Sequence, residues 1–415
     1  MDILRIATAG SVDDGKSTLI GRLLFETNSI TQDKLDAVMQ ASRRRGIDYP
    51  DLSLLTDGLV AEREQGITID VAHIYFSTPK RKYIVADTPG HFEYTCNMIT
   101  GASTAQVAII LIDARNGIVE QTCRHYYITQ LLRIPHVVVC VNKMDLTGYS
   151  EQVFETVKTA FNALTSAALY KKQQVSFIPV ASLYGENIST QSSAMPWYSG
   201  NCLLGTLEAI DYRSNDKLLP ARFPVQQVIR PKSEQYHDFR GFAGRVASGC
   251  FSKGDSVIAF PSLQQSEIEA VFVSGSEVKT AEAGSSVVLT LKSEIDISRG
   301  GMLATQVSTP EALKELTANI CWLDTIPIRA GRMYVLQHGI NRVKAKVVAL
   351  NNRINVENFA EEAGVDELKL NEIGSITLKL AQPVFADSYA VNKYNGAFIL
   401  IDEQTHTTAG VGFVV

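Results

Sequence analysis

Apolar residues in the first half of the chain gather in short, nearly unbroken runs. Ile3–Ala9, Val107–Ile112 and Val137–Val141 are dominated by aliphatic side chains. A strand that is apolar on both of its faces must be covered on both, as in a parallel sheet flanked by helices. Between the runs lie segments with helical spacing: Thr18–Leu24, a stretch near Glu93–Thr100, Glu120–Leu132, Ser150–Leu164 and Leu203–Ile210. Val71–Phe76 and Lys82–Ala86 read as two strands joined across Thr78-Pro79, and Ser176–Val180 as a further strand. The alternation predicts an α/β domain over residues 1–213, a mostly parallel sheet with helices on both faces. Only Asn28–Gln65 breaks the rhythm: it is long and polar, with a helix expected over Thr31–Arg44, and β-branched residues return at Gly66-Ile67-Thr68-Ile69.

The pattern changes after Ile210. Arg213–Lys217 is a polar linker closed by Pro220, and short strands between glycine turns follow: Phe223–Ile229, Gly244–Ala247, Ser256–Ala259, Ile268–Phe272 and Ser286–Leu291. A second gap at Ser308-Thr309-Pro310 precedes strands at Asn319–Leu323, Arg332–Leu336, Ala345–Leu350, Ile376–Leu380 and Phe398–Asp402. Short strands with few helices predict two β-barrel domains, 220–306 and 310–415. The acidic segment Glu361–Glu372 is expected to be a solvated loop.

Composition narrows the picture. With 415 residues there is chain for two or three cores, and a formal charge of −5 argues against nucleic acid held by bulk electrostatics. Six scattered cysteines form no C-x-x-C pair, so free thiols in a reducing cytoplasm are expected. The sequence enters its first strand at once and has no apolar run long enough for a membrane span, so neither a secretory leader nor membrane association is expected.

Three motifs carry chemistry, each at the end of a predicted strand. Gly10-Ser11-Val12-Asp13-Asp14-Gly15-Lys16-Ser17 fits G-x-x-x-x-G-K-[ST], with Thr18 continuing into a helix. Its glycines let backbone N–H groups turn toward phosphate oxygens, Lys16 supplies counter-charge and the Ser17 hydroxyl suits Mg²⁺. Asp87-Thr88-Pro89-Gly90 closes the Lys82–Ala86 strand. An Asp there can hold Mg²⁺ through a water, a Gly amide can meet a γ-phosphate, and His91 is placed to orient an attacking water. Asn142-Lys143-Met144-Asp145 follows Val137–Val141, where a carboxylate can accept from both N1–H and the 2-amino group of guanine; adenine offers neither. The Thr68 hydroxyl is a candidate second protein ligand for Mg²⁺, in a segment that a γ-phosphate would order.

The motifs, their order and the two trailing barrels resemble the translation elongation-factor class of GTPases over essentially the whole chain. Within that class the chain is most similar to the GTPase subunits of bacterial ATP sulfurylases. The similarity rests on Gly10–Leu24, on Asp57–Asp70 and on Asp238-Phe239-Arg240-Gly241. Translation factors usually carry His at the position of Ser11 and often His or Ser at that of Asp14, so the doubled Asp13-Asp14 is the more specific feature. The resemblance implies GTP and Mg²⁺ as cofactors and Val12 and Ile67 as an apolar gate around the water at His91. It also implies that Asp13 helps to position phosphates or a cation, and that a backbone amide of Ala181-Ser182-Leu183 contacts guanine O6. The family commonly has Ser-Ala there, so the first two residues are exchanged in this chain.

The implied activity is regulatory: GTP hydrolysis coupled to adenylyl sulfate formation by a separate ATP-sulfurylase catalytic subunit in a hetero-oligomer, with no nucleic acid. The single phosphate loop implies no fused adenylyl-sulfate kinase. The alternative is a translation factor that delivers aminoacyl-tRNA to the ribosome.

Overall fold

The computed structural model describes residues 2–44, 46, 50–55, 70–91, 94–166, 169–211, 215–231 and 239–415. Two compact units emerge, one of residues 1–212 with Asn355–Ala360 and one of residues 213–354 with 361–415. Among the described residues no helix is long and apolar enough to cross a membrane.

The first unit is built on a six-stranded sheet. Its strands are β1 (Ile3–Ala9), β2 (Ala72–Ser77), β3 (Lys82–Asp87), β4 (Val107–Asp113), β5 (His136–Asn142) and β6 (Gln174–Pro179), in spatial order β2-β3-β1-β4-β5-β6. All neighbours are parallel except the edge pair β2–β3, joined by the turn at Thr78. Every residue of β4 is buried, as its two-faced apolar pattern requires. The helices are α1 (Lys16–Glu26), α2 (Gln32–Arg44), α3 (Thr95–Ala102), α4 (Glu120–Leu131), α5 (Glu151–Ser166) and α6 (Leu203–Ala209). Leu19, Ile20, Leu23 and Leu24 of α1 fall on one face and join a core with Leu4, Ile6, Ile109 and Val138 from the sheet. Strand register then aligns chemistry: Thr8 pairs with Asp87, and Asp113 with Asn142, so the motif-bearing strand ends share one edge.

The second unit holds two closed antiparallel barrels of six strands each. In the first, 256–260, 302–305, 222–229, 241–245, 286–291 and 265–273 follow one another, and pairing of Ser256 with Glu267 closes the ring. In the second, 333–338, 397–401, 408–414, 311–322, 373–386 and 341–354 do the same, closed by Tyr334 opposite Ala345. Three of these strands far outrun their expected length. Register shifts between Leu313 and Glu315, Val347 and Ala349, and Leu350 and Asn352 move the apolar positions to the other parity, which hides one long strand as a short one.

The acidic segment 361–372 is not the solvated loop that its charge suggests. Glu361–Ala363 pairs with Asn352–Ile354, and Glu367–Leu368 with Ile328–Arg329. Two of its glutamates are paired with Arg353, Glu362 at 2.7 Å and Glu372 at 3.1 Å, and Leu368 is fully buried.

The barrels are joined by a buried ion pair. Arg222, 1% exposed, meets Asp387 with both arms of its guanidinium, Nη2 to Oδ1 at 2.6 Å and Nε to Oδ2 at 3.0 Å. Asn392 and Asn395 each donate to the same carboxylate at 3.0 Å. Removing one partner of such a pair strands a charge in low dielectric, which costs about 3–5 kcal/mol. Asp387→Ala is therefore expected to lower the urea-unfolding stability of this unit by about that amount, with the double change Arg222→Met, Asp387→Leu recovering most of it. A loss below about 1 kcal/mol would mean that the pair behaves like an exposed one.

Candidate nucleotide site

The loop between β1 and α1 is held in shape by its own side chains. Gly15 sits at φ +92° and Asp13 at φ +68°, the left-handed region that Gly adopts freely and Asp tolerates. Asp14 turns back to accept the Ser11 N–H at 2.6 Å. The buried Lys16 ammonium donates to the carbonyls of Gly10 at 2.8 Å and Ser11 at 3.3 Å. Burial lowers its pKa, opposed by the carboxylates of Asp87, Asp14 and Asp13. Ser17 and Thr18 stand in the first turn of α1, and Val12 is exposed.

The Asp87–Gly90 segment lies against this loop. Asp87, nearly fully buried, accepts the Thr8 hydroxyl at 3.0 Å, and Thr88 donates its own hydroxyl to the Thr8 carbonyl at 2.5 Å. Pro89 and Gly90 are buried, and a Cβ at Gly90 would stand 2.3 Å from both the Gly10 oxygen and Lys16 Nζ. Only glycine permits that approach. His91, half-buried, sets its ring 6.1 Å from that of Tyr94. Thr68, expected as a second metal ligand, and Ile67, expected on one side of the gate, lie outside the described residues.

Asn142 joins the loop after β1 to the segment after β6. Its Nδ2 donates to the Asp14 carbonyl at 2.7 Å, and its Oδ1 accepts the Ser182 N–H at 3.0 Å and the Ser182 hydroxyl at 2.8 Å. The exchange of Ala181 and Ser182 thus has a visible outcome: Ala181 is fully buried and the displaced hydroxyl faces Asn142. Lys143 takes φ +62° and reaches Asp113 Oδ2 at 3.1 Å, while buried Met144 and half-buried Asp145 start a short 3₁₀ turn. Leu183 follows, its carbonyl accepting from Arg22.

Four side chains enter the site without having been singled out in the sequence. Asp113 ends β4 with its side chain 2% exposed, bound to Arg115 at 2.6 Å and to Lys143. Burial alone would raise its pKa, yet the hydrogen bonds from Arg115 and the Lys143 charge bring it down to about 2. A carboxylate at the end of an otherwise aliphatic strand was the available signal. His125 on α4 is buried and bonds Gln121 at 2.9 Å; burial, then Lys16 and Arg124, push it down to about 3, which keeps it neutral. Arg22 and Glu26 of α1 reach the loop after β6, and their exposed-looking helix spacing gave no hint of it.

Residues 1–221 match the family described as the elongation factor Tu GTP binding domain, and 315–415 match the GTP-eEF1A C-terminal domain-like family. Sulfate adenylyltransferase subunit 1 of Aliivibrio fischeri (strain ATCC 700601 / ES114) is 46% identical, with 99% of this chain and 86% of the relative covered. The chain belongs to the sulfate adenylyltransferase subunit 1 family of GTPases. Another member, from Shewanella oneidensis, is 43% identical across 100% of this chain and 85% of its own. The bifunctional enzyme CysN/CysC of Mycobacterium tuberculosis is 45% identical, and the match covers 100% of this chain and 67% of that protein. Among solved structures, the GTPase-like domain of S. cerevisiae Ski7 shares the fold at TM-score 0.55 and 16% identity, covering 100% of this chain and 97% of that one.

The phosphate loop of this family member carries a charge that can be titrated. Burial, reinforced by Asp113, pushes the Asp14 carboxyl up to about 6 against the opposing Ser11 N–H and Lys16. A raised carboxyl pKa stabilises the folded state fully below its unfolded value near 3.8 and ceases to do so as pH rises through about 6. His125 contributes the opposite slope in that window, so the test is the difference between wild type and Asp14→Asn. In nucleotide-free protein the variant is expected to gain stability relative to wild type between about pH 4 and pH 7, by about 2–3 kcal/mol, measured by urea unfolding at each pH. Parallel pH profiles would mean that Asp14 is not held in this environment.

Proposed function

We propose that this chain is the regulatory GTPase of a two-subunit sulfate adenylyltransferase, coupling GTP hydrolysis to synthesis of adenylyl sulfate and pyrophosphate on a separate catalytic subunit. What supports this reading is that proteins named sulfate adenylyltransferase subunit 1 align with nearly the whole chain at 43–46% identity. "Subunit 1" names one part of an assembly, so the partner is expected to be the ATP-sulfurylase catalytic subunit in a cytoplasmic hetero-oligomer. The same relatives favour this reading over delivery of aminoacyl-tRNA. Coupling has a thermodynamic motive: a sulfate–phosphate anhydride is high in energy, and a second hydrolysis can draw its formation forward.

The residues fit a guanine nucleotide. Among the described residues the buried Ser11 Oγ has no hydrogen-bond partner, and the space beside Gly90 and Lys16 admits no side chain. On this reading the loop N–H groups of Asp13 to Thr18 and the Lys16 ammonium take the phosphates, the Gly90 amide meets the γ-phosphate, and Asp145 reads the guanine edge. Ser17 and Asp87 offer the hard oxygen donors that suit Mg²⁺, with Asp87 acting through a water and Thr68 as the further ligand. When bound, the cation would neutralise charge on the β- and γ-phosphates. His91 orients the attacking water, with Val12 and Ile67 as its apolar flanks.

His91→Ala should leave GTP affinity within about twofold while slowing single-turnover hydrolysis by about 10²-fold or more, because water placement counts only in the transition state. Equal losses in both would make His91 a structural residue. The decisive assay mixes this chain with its cognate sulfurylase subunit and follows adenylyl sulfate from ATP and sulfate. GTP is expected to stimulate product formation and the partner to stimulate GTP hydrolysis. The chain alone should hydrolyse GTP slowly and make no adenylyl sulfate. Product formation indifferent to GTP would overturn the proposal.

A further inference from the structure

We propose that Arg22 is a positioning residue for base recognition: from the helix behind the phosphate loop it grips two successive carbonyls of the base loop and so sets which way that loop's amides face. The inference rests on the reading of this site as one for guanine nucleotides.

Arg22 lies on α1, six residues beyond Lys16, with its side chain 17% exposed. Its Nε donates to the Ser182 carbonyl at 3.2 Å and its Nη2 to the Leu183 carbonyl. A guanidinium offers donors in a rigid fork, which an ammonium cannot reproduce. Each carbonyl it fixes also fixes an N–H, because a trans peptide points the two in opposite directions. Turning the Ser182 C=O toward α1 therefore turns the Leu183 N–H away from it.

The neighbouring amides are already engaged. Ser182 N–H goes to Asn142 Oδ1 at 3.0 Å, and Tyr184 N–H to the Ala181 carbonyl at 3.0 Å. Leu183 N–H has no hydrogen-bond partner among the described residues, which leaves it as the donor for a 6-oxo acceptor on the base. Glu26, one turn further along α1, holds the far end of the same loop. Its Oε2 accepts the Ser189 N–H at 3.1 Å, and its Oε1 would stand 2.2 Å from a Cβ at Gly185, which takes φ +83°. One helix thus carries the phosphate lysine at its start and both anchors of the base loop further along.

An ordinary helix–loop tie would affect every nucleotide alike, whereas a positioning role acts on the 6-oxo group. The test compares binding of GTP and of 2-aminopurine riboside triphosphate, which keeps the phosphates and the 2-amino group but lacks the 6-oxo and, with it, the N1–H. The N1–H loss weakens the analogue equally in wild type and variant, so the change in preference on substitution reads the 6-oxo. Arg22→Met is expected to weaken GTP about tenfold and the analogue less than about twofold, which narrows the preference between them at least about fivefold. Arg22→Lys keeps the charge and the stem but not the fork. It should lose a large part of the same preference, and it serves as the test variant if Arg22→Met does not give a cooperative melt. Equal losses for both nucleotides, or an unchanged preference, would overturn the inference. Failure of the wild-type protein to bind GTP would instead overturn the functional reading on which it rests.

Discussion

The loops after β1 and β6 are tied together by one buried carboxamide. Asn142 stands at the end of β5 and is bonded on one side to the Asp14 carbonyl and on the other to Ser182. The three loops involved follow β1, β5 and β6, and the sheet alone fixes only where each one begins. Each of these hydrogen bonds adds a net of about 0.5–1.5 kcal/mol. Leaving their buried partners unsatisfied would cost about 1–3 kcal/mol apiece. The larger consequence is geometric. A planar amide has its donor and acceptor at a fixed angle, so the phosphate loop and the base loop cannot shift independently. Gly15 belongs to the same constraint, since a Cβ there would stand 2.5 Å from Asn142 Nδ2.

Two carboxylates on either side of this amide show how local partners decide charge. Asp14 and Asp113 are both buried, and burial penalises the ionised form of each. Asp113 has Arg115 and Lys143 at ion-pair distance, and its pKa falls to about 2. Asp14 has backbone hydrogen bonds from Ser11 and, more weakly, Asp113, has only Lys16 as a counter-charge, feels the Asp113 carboxylate as a like charge, and its pKa rises to about 6. Two aspartates that sense each other's charge therefore differ in pKa for reasons that can be named group by group.

Much of this was legible in the chain. The two-faced apolar strands gave the parallel sheet, and the residues at their carboxyl ends gave the three motifs, because both signals are local. Arg22 and Glu26 were not legible, since their partners Ser182 and Ser189 lie 160 and 163 residues away and a charged helix face has no local mark of being engaged. The long strands of the second barrel were hidden for another reason: a bulge exchanges inward and outward positions, and a reading by alternation stops there. The acidic segment misled for a different reason: its glutamates meet arginines across strand pairings, Glu362 with Arg353 and Glu367 with Arg329, that the charge pattern does not announce. Asp113 was the accessible omission, a lone carboxylate closing an apolar run.

The polar seam between the barrels bears on how such a protein can change over time. Asn392, itself fully buried, donates to Asp387 in its own barrel and to Ser248 in the other. Neither barrel therefore owns a complete polar interior; each supplies groups that the other leaves without a match. Exchange of one barrel for one that lacks the matching group would leave a buried arginine, or a buried aspartate, without its opposite. The two are separate as architecture but share one polar seam, so a change at Arg222, Ser248, Asp387 or Asn392 in one barrel is felt by its partner in the other.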